Sequence, residues 1–232
     1  MTKSSINPKA TVAEIVLEHP ECARVFRDHR LDYCCRGEVG LASACAAKEL
    51  DLGKVVAALE AAVTERADQH AFVDVRALST PDLVQHIVER HHRYLRQSLP
   101  YAEQLVRKVS RVHGDNNPKL EPLADAVIEL RASLEPHLDE EEQHLFALAT
   151  VLPSIREYAA VRDELDSMKK EHLEVGAMLA HIRALADDYV VPHWACRSYR
   201  TLVDTLAEIE RDTLEHIFLE NHVLAPRCSA RV

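Results

Sequence analysis

The chain has 232 residues and a formal net charge of −10 at pH 7, and this acidic balance denies it the basic face that nucleic acid or an anionic membrane requires. Five glycines in the whole length leave little material for β-turns, so the expected class is all-α. Met1 to Ala10 lacks the apolar core of a signal peptide, and no run approaches the roughly 20 apolar residues of a membrane span, so a cytoplasmic protein is expected.

The first predicted unit is a small helical domain over residues 1–72. Thr11 caps a short helix that ends before Pro20, Glu21 to His29 reads as a second helix, and Leu31 to Gly37 is a loop carrying Cys34 and Cys35. Two further helical stretches follow, around Glu38 to Lys48 and Asp51 to Gln69. The 6 cysteines, Cys22, Cys34, Cys35, Cys45, Cys196 and Cys228, are irregularly spaced and read as reduced thiols.

The second unit, residues 73–232, changes scale. Ser79-Thr80-Pro81-Asp82 is a strong helix start, with a hydroxyl cap, an early proline and an acid in the first turn. Four long helices are predicted at about 81–112, 119–150, 155–187 and 194–224, broken at His113 to Pro118, at Val151 to Ser154 and at Asp188 to His193. Short connections make neighbours antiparallel. Pro122 fits a first turn, whereas Pro100 and Pro136 fall in helix interiors and are expected to kink them.

Two phrases nearly repeat: His137-Leu138-Asp139-Glu140-Glu141 and His216-Ile217-Phe218-Leu219-Glu220. A histidine and a glutamate four residues apart put an imidazole and a carboxylate on one helix face, one turn apart. Antiparallel helices bring together residues equidistant from their turn, and this tests which histidines can join them. The midpoint of His92 and His137 falls between residues 114 and 115, that of His172 with the His137/Glu141 pair near 155, and that of His172 with the His216/Glu220 pair at 195. All three lie in or beside predicted turns, so the six residues reach one level. His113, about 30 Å along the helix from His92, does not. Periodicity leaves the choice among His86, His91 and His92 open.

A lone helical His-x-x-x-Glu is most often a solvated surface pair. Two of them with two further histidines at a common level make a metal site. Four imidazoles and two carboxylates suit a pair of borderline ions and suit Ca²⁺ or Mg²⁺ poorly; two bridging acids favour iron, then manganese, over zinc. Glu142, His144, Glu171 and Glu215 read as neighbours of the site or as solvated groups.

With those residues assigned, the chain resembles the hemerythrin-like di-iron bundles, specifically the repair-of-iron-centres family. The resemblance rests on His137, Glu141, Glu142, Leu145 and Phe146, on His216, Glu220, Asn221 and Leu224 with Pro226-Arg227 after them, and on Leu31-Asp32-Tyr33-Cys34-Cys35. It implies a hemerythrin-like antiparallel four-helix bundle preceded by a small helical domain, with His92, His137, His172 and His216 as terminal ligands and Glu141 and Glu220 as bridges of two iron ions in an oxo- and carboxylate-bridged centre. In that light His92 is chosen over its neighbours. Ala147, Ala225 and Arg36 stand where the family usually has proline, phenylalanine and glycine.

The same resemblance implies repair of iron-sulfur clusters damaged by nitrosative or oxidative stress, through donation of iron to damaged iron-sulfur proteins. The alternative is a nitric oxide or oxygen reductase or sensor at the di-iron centre, with those gases as ligands. Cys34 and Cys35 read as two partly buried thiols or as a redox-reactive pair, and dimerisation through the first domain is left open.

Overall fold

The computed structural model describes residues 6–66, 74–150 and 155–229, residues 66, 155–162 and 229 by their backbone alone. Among the described residues the regular structure is helical, with a single isolated bridge between Thr11 and Gly40. No described helix is long and apolar enough to cross a membrane. Contacts divide the chain into two compact units: Met1–Ala77 together with Ile217–Val223, and Leu78–His216 together with Leu224–Val232.

In the first unit, α1 (Val12–Glu18) starts on a capping box. Thr11 Oγ1 accepts from the backbone N–H of Glu14, and the Glu14 carboxylate accepts from the backbone N–H of Thr11. α2 (Cys22–Asp28), α3 (Leu41–Ala47) and α4 (Leu52–Arg66) follow, and Val12, Val16, Phe26, Leu41, Val55 and Leu59 are buried. The loop after α2 is held by its own aspartate. Asp32 Oδ1 accepts from the backbone N–H of Cys34 at 3.2 Å and of Cys35 at 2.8 Å.

In the second unit, Ser79 caps α5 (Thr80–Ile87) by accepting from the backbone N–H of Asp82, a device worth about 1 kcal/mol. α5 runs through a π-helical turn, Val88–His92, into α6 (Arg93–His113). After the turn at residues 114–119 comes α7 (Leu120–Glu140), a second π-turn (Glu141–Leu145) and α8 (Phe146–Thr150). The break expected at Val151 to Ser154 lies outside the described residues. α9 (Ile155–Leu185) precedes a 3₁₀ turn at Asp187–Tyr189, and α10 (Arg197–Leu219) passes through a third π-turn (Glu220–Leu224) into α11 (Ala225–Ser229). Pro100 and Pro136 stand inside α6 and α7, each of which continues past its proline.

The buried positions of each rod repeat every three or four residues, as helix-on-helix packing demands. They run Leu95, Leu99, Ala102, Val106, Val109 on α6; Leu120, Leu123, Val127, Leu130, Leu134 on α7; Leu165, Met168, Val175, Leu179, Ile182 on α9; and Leu202, Leu206, Ile209, Thr213 on α10. Each stripe is interrupted at one place by a buried histidine. His92 comes three residues before Leu95, His137 three after Leu134, His172 between Met168 and Val175, and His216 three after Thr213. One layer of a mainly apolar core is therefore made of imidazole and carboxylate.

Candidate metal centre

His92, His172, His216 and Glu220 are fully buried, and His137 and Glu141 are nearly so. Their ligand atoms form two overlapping groups, His92–Glu141–His216–Glu220 and His137–Glu141–His172–Glu220, within each of which all atoms lie within 4.8 Å of one another. The two carboxylates are common to both groups. Glu141 shows how they are shared. Its Oε2 faces His92 Nε2 at 3.5 Å and His216 Nε2 at 3.6 Å, while its Oε1 faces His137 Nε2 at 3.3 Å and His172 Nε2 at 3.6 Å. One carboxylate thus presents a different oxygen to each of two imidazole pairs.

The ring nitrogens that point away from this layer fix the tautomers. His92 Nδ1 lies 2.8 Å from Glu142 Oε1, and His137 Nδ1 lies 2.7 Å from Glu171 Oε2. A carboxylate takes the Nδ1–H in each case and leaves the Nε2 lone pair aimed inward, the arrangement in which imidazole binds a metal. His92 Nε2 and His216 Nε2 then approach to 3.1 Å, and the buried His137 Nε2 makes no hydrogen bond. Buried lone pairs and carboxylates converging in this way are costly, by several kcal/mol per ion, unless a cation lies among them. The residues present fit a bound metal cation.

The surroundings hold these rings in place. Arg96 Nη1 donates to Glu142 at 2.6 Å and Arg96 Nη2 to Asp139 at 2.6 Å. Burial pushes the Glu142 carboxyl upward, but its bonds to Arg96 and His92 outweigh that and bring it below the usual carboxylate range. Phe146 stacks on His92, with ring centroids 5.4 Å apart.

His91, His86 and His113 lie outside both groups. His91 is buried, but its Nδ1 turns to Asp212 Oδ1 at 3.1 Å, and its ring stacks on His216 at 6.0 Å. His86 lies edge-on to His91, and burial keeps its imidazole below the ordinary histidine range. His113 contacts Cys196 Sγ at 3.1 Å. His144 is exposed and Glu215 faces Arg211 at 3.6 Å.

Cys34 is buried and Cys35 half-buried, their sulfurs 3.4 Å apart and unbridged. A hydrogen bond to Cys35, then burial, pushes the Cys34 thiol well above the ordinary cysteine range. Sequence reasoning gave no role to His222, nor to Asn221 beyond its place in a motif. Both contact the carbonyl oxygen of Cys34 at 2.9 Å. It also missed that the π-turns begin at Glu141 and Glu220 and end at His92. Such turns widen the helix by one residue and re-aim side chains, and they gather at functional sites. The signal was present as a phase slip: Leu83 and Ile87 form one stripe and His92, Leu95 and Leu99 another, five residues separating Ile87 from His92.

Two family descriptions match the chain. A domain of unknown function (DUF542, ScdA_N) covers residues 8–63, and the hemerythrin HHE cation binding domain covers residues 83–228. The chain is similar over nearly its whole length to proteins named for iron-sulfur cluster repair. It is 32% identical over 219 residues to ScdA of Staphylococcus haemolyticus, covering 94% of this chain and 97% of that one. It is 33% identical over 221 residues to YtfE of Citrobacter koseri, covering 94% and 96%, and shows the same identity and coverage with YtfE of an Escherichia coli strain, O17:K52:H18.

Proposed function

Since the chain belongs to the family of iron-sulfur cluster repair proteins that carry a hemerythrin HHE cation-binding domain, we propose that it holds two iron ions and supplies iron to clusters damaged by nitric oxide or oxidants. His92 and His216 would hold one ion, His137 and His172 the other, and Glu141 and Glu220 would bridge them. The observation that carries this reading is the division of Glu141, one oxygen toward each imidazole pair.

Ferrous iron is the cargo in this reading. Nitrogen and carboxylate donors bind it less tightly than thiolates would bind softer ions, and ferrous iron stands low in the affinity order of divalent metals. Each donor must be deprotonated to bind, so protonation of a bridging carboxylate or an imidazole favours release. Glu142 and Glu171 keep the imidazoles oriented while empty, so the site can be reloaded without refolding.

Anaerobically purified protein is expected to contain two irons per chain and to show the Mössbauer spectrum of a coupled pair. Glu141→Ala and Glu220→Ala should each abolish that spectrum. Mixed with an apo iron-sulfur protein, the loaded chain should lose iron in proportion to the cluster formed. Two irons retained with an unaltered spectrum in both variants would refute the ligand set; cluster formation with no loss of iron from the chain would refute donation.

A further inference from the structure

The peptide group joining Cys34 to Cys35 is gripped at both ends. Its carbonyl oxygen, that of Cys34, accepts from Asn221 Nδ2 at 2.9 Å and sits 2.9 Å from His222 Nε2. Its N–H, that of Cys35, donates to Asp32 Oδ1 at 2.8 Å. Asn221 and His222 directly follow Glu220 in the π-turn Glu220–Leu224. The loop is tight around this grip. A Cβ added at Gly37 would stand 2.5 Å from the Tyr33 carbonyl oxygen and 2.7 Å from His222 Nε2.

The two sulfurs are 3.4 Å apart, within reach of a bond of about 2.05 Å. Adjacent residues in a trans peptide have their Cα atoms about 3.8 Å apart, whereas disulfides ordinarily span about 4.4–6.8 Å. Closing an eight-membered ring between neighbours therefore twists the intervening peptide. A twist of that plane turns its carbonyl away from Asn221 and His222 or its N–H away from Asp32. Strained disulfides are the readily reduced ones, so the ring reopens in excess thiol.

We propose that Cys34 and Cys35 form a reversible vicinal disulfide, and that the twist it imposes on their shared peptide frees Asn221 and His222 and loosens Glu220 beside them. The oxidant is a low-molecular-weight disulfide, R–S–S–R. Cys35, the more exposed thiol, bonds one sulfur of R–S–S–R and the other leaves as RSH, carrying the Cys35 proton. Cys34 Sγ then attacks the Cys35 sulfur and expels the second RSH, with Asp32 Oδ1, 3.5 Å away, receiving the Cys34 proton and passing it on. Two thiols lose two electrons and two protons, and one external disulfide becomes two thiols. Oxidation would thus be read at Glu220 and speed iron release under oxidative conditions.

This inference rests on Glu220 being an iron ligand only in its last step, so the test has two parts. In the metal-free full-length chain, glutathione disulfide should remove two hydrogens from the peptide spanning Cys34 and Cys35, and amide hydrogen exchange across residues 220–224 should rise by about tenfold, reverting with excess dithiothreitol. Cys35→Ser should show no such response. In the iron-loaded chain, oxidation should speed iron loss to a chelator by about tenfold, the scale on which partners of metal ligands act. Asn221→Ala/His222→Ala, kept reduced, should lose iron at the oxidised rate, with oxidation adding nothing. A vicinal disulfide that leaves exchange at 220–224 unchanged, or treatment that yields only a mixed disulfide at Cys35, overturns the proposal whatever the metal does. Faster exchange without faster iron loss would sink only the assignment of Glu220.

Discussion

Glu171 touches neither proposed cation, yet replacing it should weaken metal binding. Its Oε2 accepts from His137 Nδ1 at 2.7 Å, and its Oε1 lies 3.2 Å from the Ser167 hydroxyl. In Glu171→Ala the imidazole loses the acceptor that fixes its tautomer and its rotation. Removing such a partner costs about 10- to 100-fold in metal affinity. The Glu171 side chain is 38% exposed, so water can take its place as acceptor, which sets the expectation at about tenfold, or about 1.4 kcal/mol. Glu171→Gln keeps an oxygen at the same distance and should lose less. The assay is competition for iron against a chelator of known affinity, with thermal unfolding of the metal-free variants alongside; the apo proteins should agree within about 0.5 kcal/mol because the site of change is partly solvated. An alanine variant that binds as tightly as the parent refutes the reasoning. So does a glutamine variant as weak as alanine, because charge and not orientation would then carry the effect.

The pair of half-buried Arg183 with buried Glu210, in which Arg183 Nε lies 2.9 and 3.1 Å from the two carboxylate oxygens, should make Glu210→Ala destabilising by about 1–3 kcal/mol, while Arg183→Met/Glu210→Leu recovers most of it; calorimetry decides, and a double variant no better than the single one would count against the account. Gly37→Ala, which drives a Cβ to 2.7 Å from the Ala13 Cβ as well as into the Tyr33 carbonyl, should cost about 1–3 kcal/mol, seen as earlier loss of hydrogen-exchange protection in α1; unchanged protection there would contradict it. The carboxyl of Glu103 is held below the usual range by hydrogen bonds from Arg107 first and then Arg131. A carboxyl lowered in the folded state stabilises fully above its unfolded pKa of about 4.3, and the contribution disappears as pH falls through the folded value. The Tm gap between the parent chain and Glu103→Gln should therefore be widest near neutral pH and close on acidification, and a gap that widens instead reverses the sign of the argument.

Much of the architecture was readable from local chemistry. Ser79 with Pro81 and Asp82, the hydroxyl of Thr11 and the break after His113 act through neighbours within a few residues, so sequence alone located those helix ends; the last long helix, expected from about residue 194, starts at Arg197. The two His-x-x-x-Glu pairs were legible for the same reason, because four residues make one turn. Equal distances from the turns then predicted a common level for six side chains, and the structure gathers those six into two overlapping groups.

What the sequence could not supply depends on groups far apart in the chain. Periodicity left His86, His91 and His92 undecided, since His91 and His92 each have apolar residues at helical spacing; the π-turn at Val88–His92 buries both and directs His92 to Glu141 and His91 to Asp212. Sequence left Glu142 and Glu171 as either neighbours of the site or solvated groups, and packing set them against the outer nitrogens of His92 and His137, the second across 34 residues of sequence. Asn221 and His222 meet the Cys34 carbonyl across 187 and 188 residues, a pairing that no local propensity encodes. Helix periodicity and capping are short-range energies written residue by residue, whereas the aim of an imidazole is set by whatever the folded chain brings to its other side.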